Sequence, residues 1–343
     1  MGVAINDLLI KNEIELDSLI GKTLVVDAPL WLYQFLSSIR QPDGSLLSDS
    51  NGNTTSHLIG LSSRIPKLMT KGIKLAFCFD GKTPDLKKQE RERRKALKIK
   101  AENLYQEAAK KKNIDDMKKY AARTTRLTKD MIEEAKNLLD AFGIPVIDSP
   151  SEAEAQASHI VKNKGAYAVA TNDADVLMFG SPKLIRNINL IGKRKKTSKL
   201  AYQSVKPELI DLAENLNHLG IDNDQLITLS MLVGTDFNVG GIKGIGPKNA
   251  LKLVKKHNSD FDNLFKETKW DEHFQFPWTD VFYLIKNMPT TDNYRLEWKT
   301  IDEEKIMKIL VDNHDFSEER VNNTIKKLVE EKESKQQKSL ADF

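Results

Sequence analysis

The chain of 343 residues has very little cysteine, since Cys78 is the single one. It contains six histidines. A single cysteine excludes an intramolecular disulfide and is typical of a protein that works in a reducing compartment. No apolar run reaches the ~20 residues that a membrane-spanning helix needs, and no secretory leader is evident. We therefore expect an intracellular protein.

Charge is distributed unevenly along the chain, although the net charge is only +4. Residues 82–129 carry 17 Lys and Arg against 7 Asp and Glu, a net of +10, so the remainder is net −6. A charge run is most often a solvated helix face. A basic segment attached to an acidic body is better explained by a polyanionic substrate.

Carboxylates recur at the ends of predicted strands. Apolar strand patterns at residues 23–26 and 75–79 are followed by Asp27 and Asp80, and a third at residues 166–170 is followed by Asp173 and Asp175. Residues 144–147 predict a further strand. Because the carboxyl ends of parallel strands meet at one edge of a sheet, these side chains can share a site.

Two more carboxylates open a predicted helix, for which Ser149 is a suitable N-cap and Pro150 a suitable first residue. Glu152 and Glu154 fall in its first turn. An ordinary interpretation makes Glu152 the capping-box partner of Ser149 and the strand-end aspartates turn residues. This stretch alone leaves both interpretations open, and the repetition across separate strands favours the shared site.

Clustered carboxylates repel one another, and a divalent cation removes that cost. The predicted cluster contains only oxygen donors, with no histidine or cysteine nearby. Such a donor set favours Mg²⁺ or Mn²⁺ over Zn²⁺.

The basic segment has helical composition but too few apolar residues to pack fully against a core. We predict one or two projecting helices, with partial disorder in the absence of a partner as an alternative. Lys87 and Arg94 are seven residues apart, so they share one face if the helix is continuous. A second basic run at residues 192–196 predicts a hairpin tip, either for phosphate contact or as a nuclear signal.

A glycine-rich turn joins two predicted helices in the second half of the chain. Residues 226–233 predict the first helix, and Pro247 starts the second. The turn carries Gly244 and Gly246, which let backbone N–H groups approach a phosphate, and it ends in Lys248. Its spacing is typical of a helix-hairpin-helix module, against the alternative of an ordinary glycine turn.

The last part of the chain predicts helices and loops with aromatic anchors, followed by a polar tail that does not fold alone. The anchors are Trp270, Phe274, Phe276 and Trp278. In the tail, Gln337, Leu340 and Phe343 have the spacing of the sliding-clamp-binding box, in which the two apolar side chains enter one pocket.

These motifs resemble the flap endonucleases of the XPG family over nearly the whole chain. The matching stretches are Val26-Asp27-Ala28, Tyr33-Gln34-Phe35-Leu36, Thr54-Thr55-Ser56-His57-Leu58, Phe79-Asp80-Gly81-Lys82, Pro150-Ser151-Glu152-Ala153-Glu154-Ala155, Phe179-Gly180-Ser181-Pro182, Gly244-Ile245-Gly246-Pro247-Lys248 and Phe316-Ser317-Glu318-Glu319-Arg320. The resemblance implies an α/β fold: a mostly parallel central sheet flanked by helices, a PIN-like 5′ nuclease core, with a basic helical arch and a helix-hairpin-helix module.

The resemblance also implies a division of the chain into parts. We expect an N-region of the nuclease core at 1–98, the arch at 81–130, an I-region with the helix-hairpin-helix at 116–258, a C-terminal helical part at 259–330 and a clamp-binding tail at 335–343.

The resemblance implies site residues as well. The family's seven metal-binding carboxylates fall on Asp27, Asp80, Glu152 and Glu154 for one Mg²⁺ and on Asp173, Asp175 and Asp236 for the other. Lys87 and Arg94 match the basic pair at the mouth of the site and Tyr33 the stacking tyrosine. DNA contacts fall on Arg40, Arg64, Glu152, Gly234, Asp236, Gly244, Gly246 and Lys248. K⁺ is the cation expected at the helix-hairpin-helix, and Mn²⁺ is the substitute for Mg²⁺.

The implied activity is Mg²⁺-dependent cleavage of 5′ flaps, with 5′–3′ exonuclease activity, in DNA replication and long-patch base excision repair. The implied partners are branched DNA and the sliding clamp PCNA, the implied state is a monomer, and the compartment is the nucleoid in an archaeon or the nucleus in a eukaryote. A non-catalytic junction-binding module and a sister nuclease that prefers exonuclease or Holliday-junction substrates are the alternatives.

Two departures from the family pattern concern substrate and clamp. Ser50, Asn51 and Asn53 stand where eukaryotic members carry acidic residues at the gate of a 3′-flap pocket. The clamp box ends in one aromatic residue instead of two, which reduces the apolar area it can bury.

Overall fold

The computed structural model describes residues 3–190, 192–195 and 202–341. The strands are β1 (Asn12–Glu13), β2 (Thr23–Asp27), β3 (Lys74–Phe79), β4 (Val146–Asp148), β5 (Ala168–Ala170), β6 (Lys183–Arg186), β7 (Gly192–Lys195), β8 (Tyr202–Val205) and β9 (Glu208–Asp211). The helices are α1 (Ala28–Ser38), α2 (Ser56–Thr70), α3 (Lys88–Lys110), α4 (Ile114–Ala121), α5 (Lys129–Ala141), α6 (Ala153–Lys162), α7 (Asp175–Met178), α8 (Leu212–Leu219), α9 (Asn223–Val233), α10 (Pro247–His257), α11 (Phe261–Glu267), α12 (Trp270–His273), α13 (Trp278–Lys286), α14 (Glu303–Met307) and α15 (Glu318–Ala341).

Seven strands form one sheet in the order β1-β9-β6-β5-β2-β3-β4. The five strands from β6 to β4 run parallel, while β9 is antiparallel to β6 and β1 is antiparallel to β9. Strands β7 and β8 form a separate antiparallel hairpin. The predicted α/β fold with a mostly parallel central sheet is confirmed.

Helices cover both faces of the sheet, so its central strands are buried on both sides. Along β2, Val25 belongs to one apolar cluster, and Leu24 and Val26 belong to the other. This is the alternation that a β-strand imposes on its side chains. Trp31 of α1 packs edge-on against Phe77 of β3, with 5.6 Å between ring centroids.

The basic segment forms two helices, α3 and α4, and of α3 only Glu90, Ala101 and Ala108 are buried. Helices are therefore confirmed, but the continuous helix from Lys87 to Arg94 is not. Lys87 lies in a 3₁₀ turn over Asp85–Lys87, which follows Pro84, and α3 begins at Lys88.

One further expectation needs correction. The basic run at 192–196 was predicted as a hairpin tip, but residues 192–195 form strand β7 itself, and Lys196 lies outside the described residues. The polar tail, which was not expected to fold alone, continues helix α15 as far as Ala341. Lys, Glu and Gln are strong helix formers, so the polar sequence can extend a helix that is already anchored.

The C-terminal aromatic anchors are confirmed. Trp270 is buried, and its ring centroid lies 4.3 Å from the ring centroid of Phe274. Phe265 stacks on Trp278 at 4.9 Å. Every helix in the described part of the chain is too short or too polar to cross a lipid bilayer.

Candidate active site

The strand-end carboxylates lie at one edge of the sheet. Asp27 is the last residue of β2, Asp80 directly follows β3, and Asp173 follows β5. Because β5, β2 and β3 are adjacent and parallel, their carboxyl ends meet. The other four carboxylates sit at helix ends: Glu152 and Glu154 at the start of α6, Asp175 at the start of α7, and Asp236 after α9.

Burial and, after it, repulsion between neighbouring carboxylates raise the pKa of three of these groups. Burial, and after it the charges of Asp80 and Asp173, raises the pKa of Asp27 to about 7. Burial, followed by Asp173, Asp27 and Asp175, raises the pKa of Glu154 well above its usual range. Burial and then Asp173 raise the pKa of Asp175 in the same way. The site therefore favours neutralisation by protons or cations.

Backbone N–H groups and one hydroxyl donate hydrogen bonds to two of these carboxylates. The Asp27 carboxylate accepts from Leu30 N–H at 3.3 Å and from the Thr171 hydroxyl at 3.2 Å. Ala153 N–H donates to Asp80 Oδ1 at 2.8 Å. The carboxylates are thus oriented by the ends of the elements that carry them.

The capping-box interpretation of Glu152 is excluded, because α6 begins at Ala153 and Glu152 makes no side-chain cap bond. The predicted start at Pro150 fails because residues 150 and 151 pair with the chain after β3. Gly81 N–H donates to the Ser151 carbonyl at 2.7 Å, and Lys82 N–H donates to that of Pro150 at 3.1 Å. Asp80 then binds the first N–H of the helix from another strand.

Two cations of the basic segment contact this cluster. Lys87 Nζ lies 2.5 Å from Glu152 Oε2 and 3.5 Å from Asp236 Oδ2. Burial alone would lower the pKa of Lys87, but the charges of Glu152 and Asp236 outweigh it and raise it. Arg94 Nη2 donates to both oxygens of Asp236 at 2.8 Å. Although no continuous helix joins them, Lys87 and Arg94 converge on one carboxylate.

The donor set fits divalent cations that prefer oxygen ligands. In residues 3–190, 192–195 and 202–341, no three His, Cys, Asp or Glu side chains are already arranged as a metal-binding group. Lys87 and Arg94 occupy oxygens of Glu152 and Asp236 instead. The raised carboxylate pKa values indicate charge that these two cations leave uncompensated.

A cavity of about 500 Å³ opens beside the cluster, under α3. Its wall joins Tyr33 to the cations Lys87, Arg94 and Lys98. Tyr33 is 38% exposed, and the Lys98 ammonium lies 5.2 Å from its ring centroid. An exposed aromatic ring among cations is a surface on which a base can stack beside its phosphates.

The arginines predicted to contact duplex DNA are half-buried. Arg40 donates to the Gly44 carbonyl at 2.8 Å and to the Thr125 hydroxyl at 2.6 Å, which ties it to the end of the basic segment. Arg64 lies on α2. Their DNA contacts stay predictions.

The turn between α9 and α10 contains one glycine that packing requires and others that face open space. Gly234 has φ +111°, and a Cβ there would lie 2.6 Å from Gly241 N, so the fold itself requires glycine. Gly246 has an ordinary φ of −89°, and a Cβ there would meet open space. Gly244 also faces open space, but its φ of +86° itself favours glycine, and Lys248 is exposed. At Gly246 neither packing nor backbone conformation requires glycine, which favours close approach by a ligand there.

The structure also brings to the site residues that no local sequence pattern indicates. Val3 N–H donates to Asp175 Oδ1 at 2.6 Å, so the N-terminal segment supports the cluster. Asp315 Oδ2 accepts from Ser50 N–H at 2.7 Å, and His314 bonds Asp49 at 2.9 Å. An acidic residue therefore does reach the loop that carries Ser50, but from the segment before α15.

Of the predicted clamp-binding residues, Gln337 and Leu340 fall within the backbone range of α15. Phe343 lies outside the described residues. The clamp contact stays a prediction.

Comparison with known proteins agrees with this geometry. Residues 1–101 match the XPG N-terminal domain, and residues 143–236 match the XPG I-region. The fold and the carboxylate edge thus define a nuclease of the XPG class.

Comparison with individual proteins places the chain in one family within this class. The flap endonuclease 1 of Thermococcus onnurineus is 48% identical over 96% of this chain and 94% of its own, and that of Pyrococcus furiosus is 45% identical over 100% and 99%. Flap endonuclease-1 from Methanococcus jannaschii superimposes with a TM-score of 0.76 at 38% identity, covering 97% of this chain and all of its own. The catalytic core of Rad2 in complex with DNA substrate gives 0.65 at 26% identity, over 94% and 97%. The chain belongs to the flap endonuclease family.

Proposed function

We propose that this protein is a structure-specific 5′ flap endonuclease that hydrolyses a phosphodiester bond with two Mg²⁺ ions. The convergence of Lys87, Arg94 and the carboxylate cluster on one cavity carries the proposal. Asp27, Asp80, Glu152 and Glu154 would hold one ion, and Asp173, Asp175 and Asp236 the other. The chemistry that such ions would supply there is activation of a water and stabilisation of charge on the attacking and leaving oxygens, with Mn²⁺ as a substitute for Mg²⁺.

Lys87 and Arg94 supply the positive charge that the protein itself brings to the reaction. They now pair with Glu152 and Asp236. On DNA binding, each cation would exchange a carboxylate oxygen for an oxygen of the scissile phosphate. Such charge-assisted hydrogen bonds, directed at developing negative charge, stabilise the transition state.

The cavity under α3 receives the reacting nucleotide. The target must leave the duplex, at a cost of a few kcal/mol of unpairing, and Tyr33 offers a ring on which a base near the cut can stack. The 5′ single strand passes through or under the arch of α3 and α4. Gly244, Gly246 and Lys248 hold the duplex backbone, with K⁺ as the bridging cation. Arg40 and Arg64 make further contacts with the duplex.

The proposed role is flap removal during replication and long-patch base excision repair, inside the cell and as a monomer. A panel of flap, nick, gap, bubble and four-way-junction DNA, each assayed with and without Mg²⁺, tests it. We expect cleavage to be fastest on the flap and absent without the ion. Flap binding without cleavage would support the non-catalytic junction module. A preference for four-way junctions or blunt ends would support the sister nuclease.

Adding a 5′ flap substrate that also carries a one-nucleotide 3′ flap tests the proposed 3′ pocket, a cavity of about 600 Å³ beside the loop at 48–53. Its wall includes Ser50, Asp315 and Arg320. Since Asp315 supplies an acidic group beside Ser50, we expect a one-nucleotide 3′ flap to accelerate cleavage. Equal rates with and without that nucleotide would argue against the pocket.

Deleting residues 335–343 is expected to leave unassisted flap cleavage unchanged and to remove stimulation by a sliding clamp. The clamp tethers the nuclease and raises its effective concentration at the flap, while Gln337, Leu340 and Phe343 make the contact. Cleavage rates with and without the cognate clamp measure the effect. As a matched control, Leu340→Ala with Phe343→Ala keeps the chain length. Full stimulation after the deletion would move the contact to the body of the protein.

A further inference from the structure

Glu90 is a buried carboxylate on the most polar helix of the protein. It is 3% exposed, although α3 otherwise buries only two alanines. It lies in the first turn of α3, where the positive end of the helix dipole favours a carboxylate. It is absent from the set of residues that the family resemblance assigns to the site.

Both oxygens of Glu90 bond to arginines. Its Oε1 accepts from Arg94 Nε at 2.5 Å, and its Oε2 accepts from Arg93 Nε at 2.6 Å. A further bond joins Arg93 Nη2 to Oε1 at 2.9 Å. Burial by itself raises the pKa of Glu90, but the bonds from Arg93 and Arg94 lower it overall. The group is therefore held as a carboxylate.

The guanidinium of Arg94 is consequently held at two of its nitrogens. Nε bonds Glu90, while Nη2 reaches Asp236 in the carboxylate cluster. Because a guanidinium is planar and rigid, fixing the Nε edge decides where Nη2 points. Burial opposes the charged form of Arg94, but Asp236 and then Glu90 outweigh it and raise the pKa of Arg94.

We propose that Glu90 is a positioning residue, which holds Arg94 by its Nε so that Nη2 faces the scissile phosphate. The inference rests on the proposed function, in which Arg94 binds that phosphate. When the phosphate replaces Asp236 as the partner of Nη2, the bond from Nε to Glu90 persists. The rotamer that Arg94 needs is then set before DNA arrives. Without Glu90, Arg94 keeps its charge but loses this constraint.

The contrasting interpretation is that Glu90 only stabilises the helix through its bonds to Arg93 and Arg94, three and four residues later. Such pairs stabilise many helices without any catalytic consequence. Arg93 provides the matched control, since its side chain bonds the same carboxylate but is 43% exposed and has no bond to the cluster.

The test is a double-mutant cycle of Glu90→Gln and Arg94→Ala in the full-length protein with flap DNA and Mg²⁺. Single-turnover rate, flap affinity and melting temperature are measured for each variant. Glu90→Gln keeps the size of the side chain, and we expect about a 100-fold loss of rate with little loss of affinity, as for a misplaced catalytic group. In the Arg94→Ala background the same change should cost nothing further. Arg93→Gln should change the rate by no more than about twofold, since the Arg93 side chain bonds Glu90 and not the carboxylate cluster.

The inference is overturned if the losses from Glu90→Gln and Arg94→Ala multiply, or if Arg93→Gln slows the reaction as much as Glu90→Gln. It is also overturned if the rate loss merely follows a drop in melting temperature. If Glu90→Gln fails to fold, Glu90→Asp, which shortens the reach to Arg94, should lower the rate while keeping the fold, and a wild-type rate would refute the role. A wild-type protein that cuts no flap refutes the proposed function, whereas an active wild type with an equally fast Glu90→Gln refutes only this inference.

Discussion

Asp175→Asn is expected to abolish flap cleavage, with a loss well beyond about 100-fold, while flap binding stays largely intact. The substitution keeps the shape of the side chain and still offers an oxygen to Val3 N–H, but it removes a charge that the proposed metal site needs. Even indirect supports of a metal site typically cost 10–100-fold when removed, so a direct ligand should cost more. Asp80→Asn should have the same effect. Single-turnover rates and flap affinities check both.

A thermal measurement separates metal binding from a general loss of structure. Because Asp175 is buried among like charges that raise its pKa, Asp175→Asn should raise the melting temperature of the metal-free protein. Mg²⁺ should stabilise the wild type and stabilise the variant less, since binding to the folded state shifts the unfolding equilibrium. Cleavage near the wild-type rate with Mg²⁺ would show that the metal assignment is wrong.

Lys87→Ala is expected to lower the single-turnover rate by roughly 100- to 1,000-fold, the range for removing one donor that stabilises transition-state charge. The loss of affinity should be far smaller, because the contact with the scissile phosphate matters most in the transition state. Lys87→Ala removes the ammonium group that lies 2.5 Å from the Glu152 carboxylate. The rates should therefore be measured at saturating Mg²⁺. Lys87→Met is the control that keeps the side-chain volume.

Lysines far from the cluster give the opposite pattern. Lys111 and Lys112 follow the distal end of α3 and are exposed. Replacing both with Gln should weaken binding and flatten its salt dependence, because fewer counterions are released on DNA binding. An equal loss of rate and affinity for Lys87→Ala would contradict the distinction between catalytic and binding cations.

The sequence predicted the sheet edge because strand patterns and their terminal aspartates are local. Asp27 and Asp80 could be located from a few preceding residues. The start of α6 could not, since it depends on Asp80 binding Ala153 N–H across 73 positions of sequence. Ser149 and Pro150 have favourable helix-start chemistry, but the carbonyls of Pro150 and Ser151 accept hydrogen bonds from the N–H groups of Lys82 and Gly81.

Contacts between residues that are far apart in the sequence could not be predicted, for similar reasons. Val3 and Asp175 are 172 positions apart, and nothing near either residue signals the bond. Glu90 looks like any glutamate of a charged helix until its exposure and its two arginine partners are known. Convergence of Lys87 and Arg94 was predicted from an unbroken helix, yet it comes from a 3₁₀ turn that leads into α3.

The order of the strands has a consequence for biosynthesis. Strand β2 pairs with β5, so the central pair of the sheet joins residues near 25 to residues near 169. The cluster closes only with Asp236, after α9. Chains emerge from the ribosome N-terminus first, and distant pairings form late. A nascent chain therefore has all seven carboxylates of the cluster only after Asp236, the last of them, has been translated.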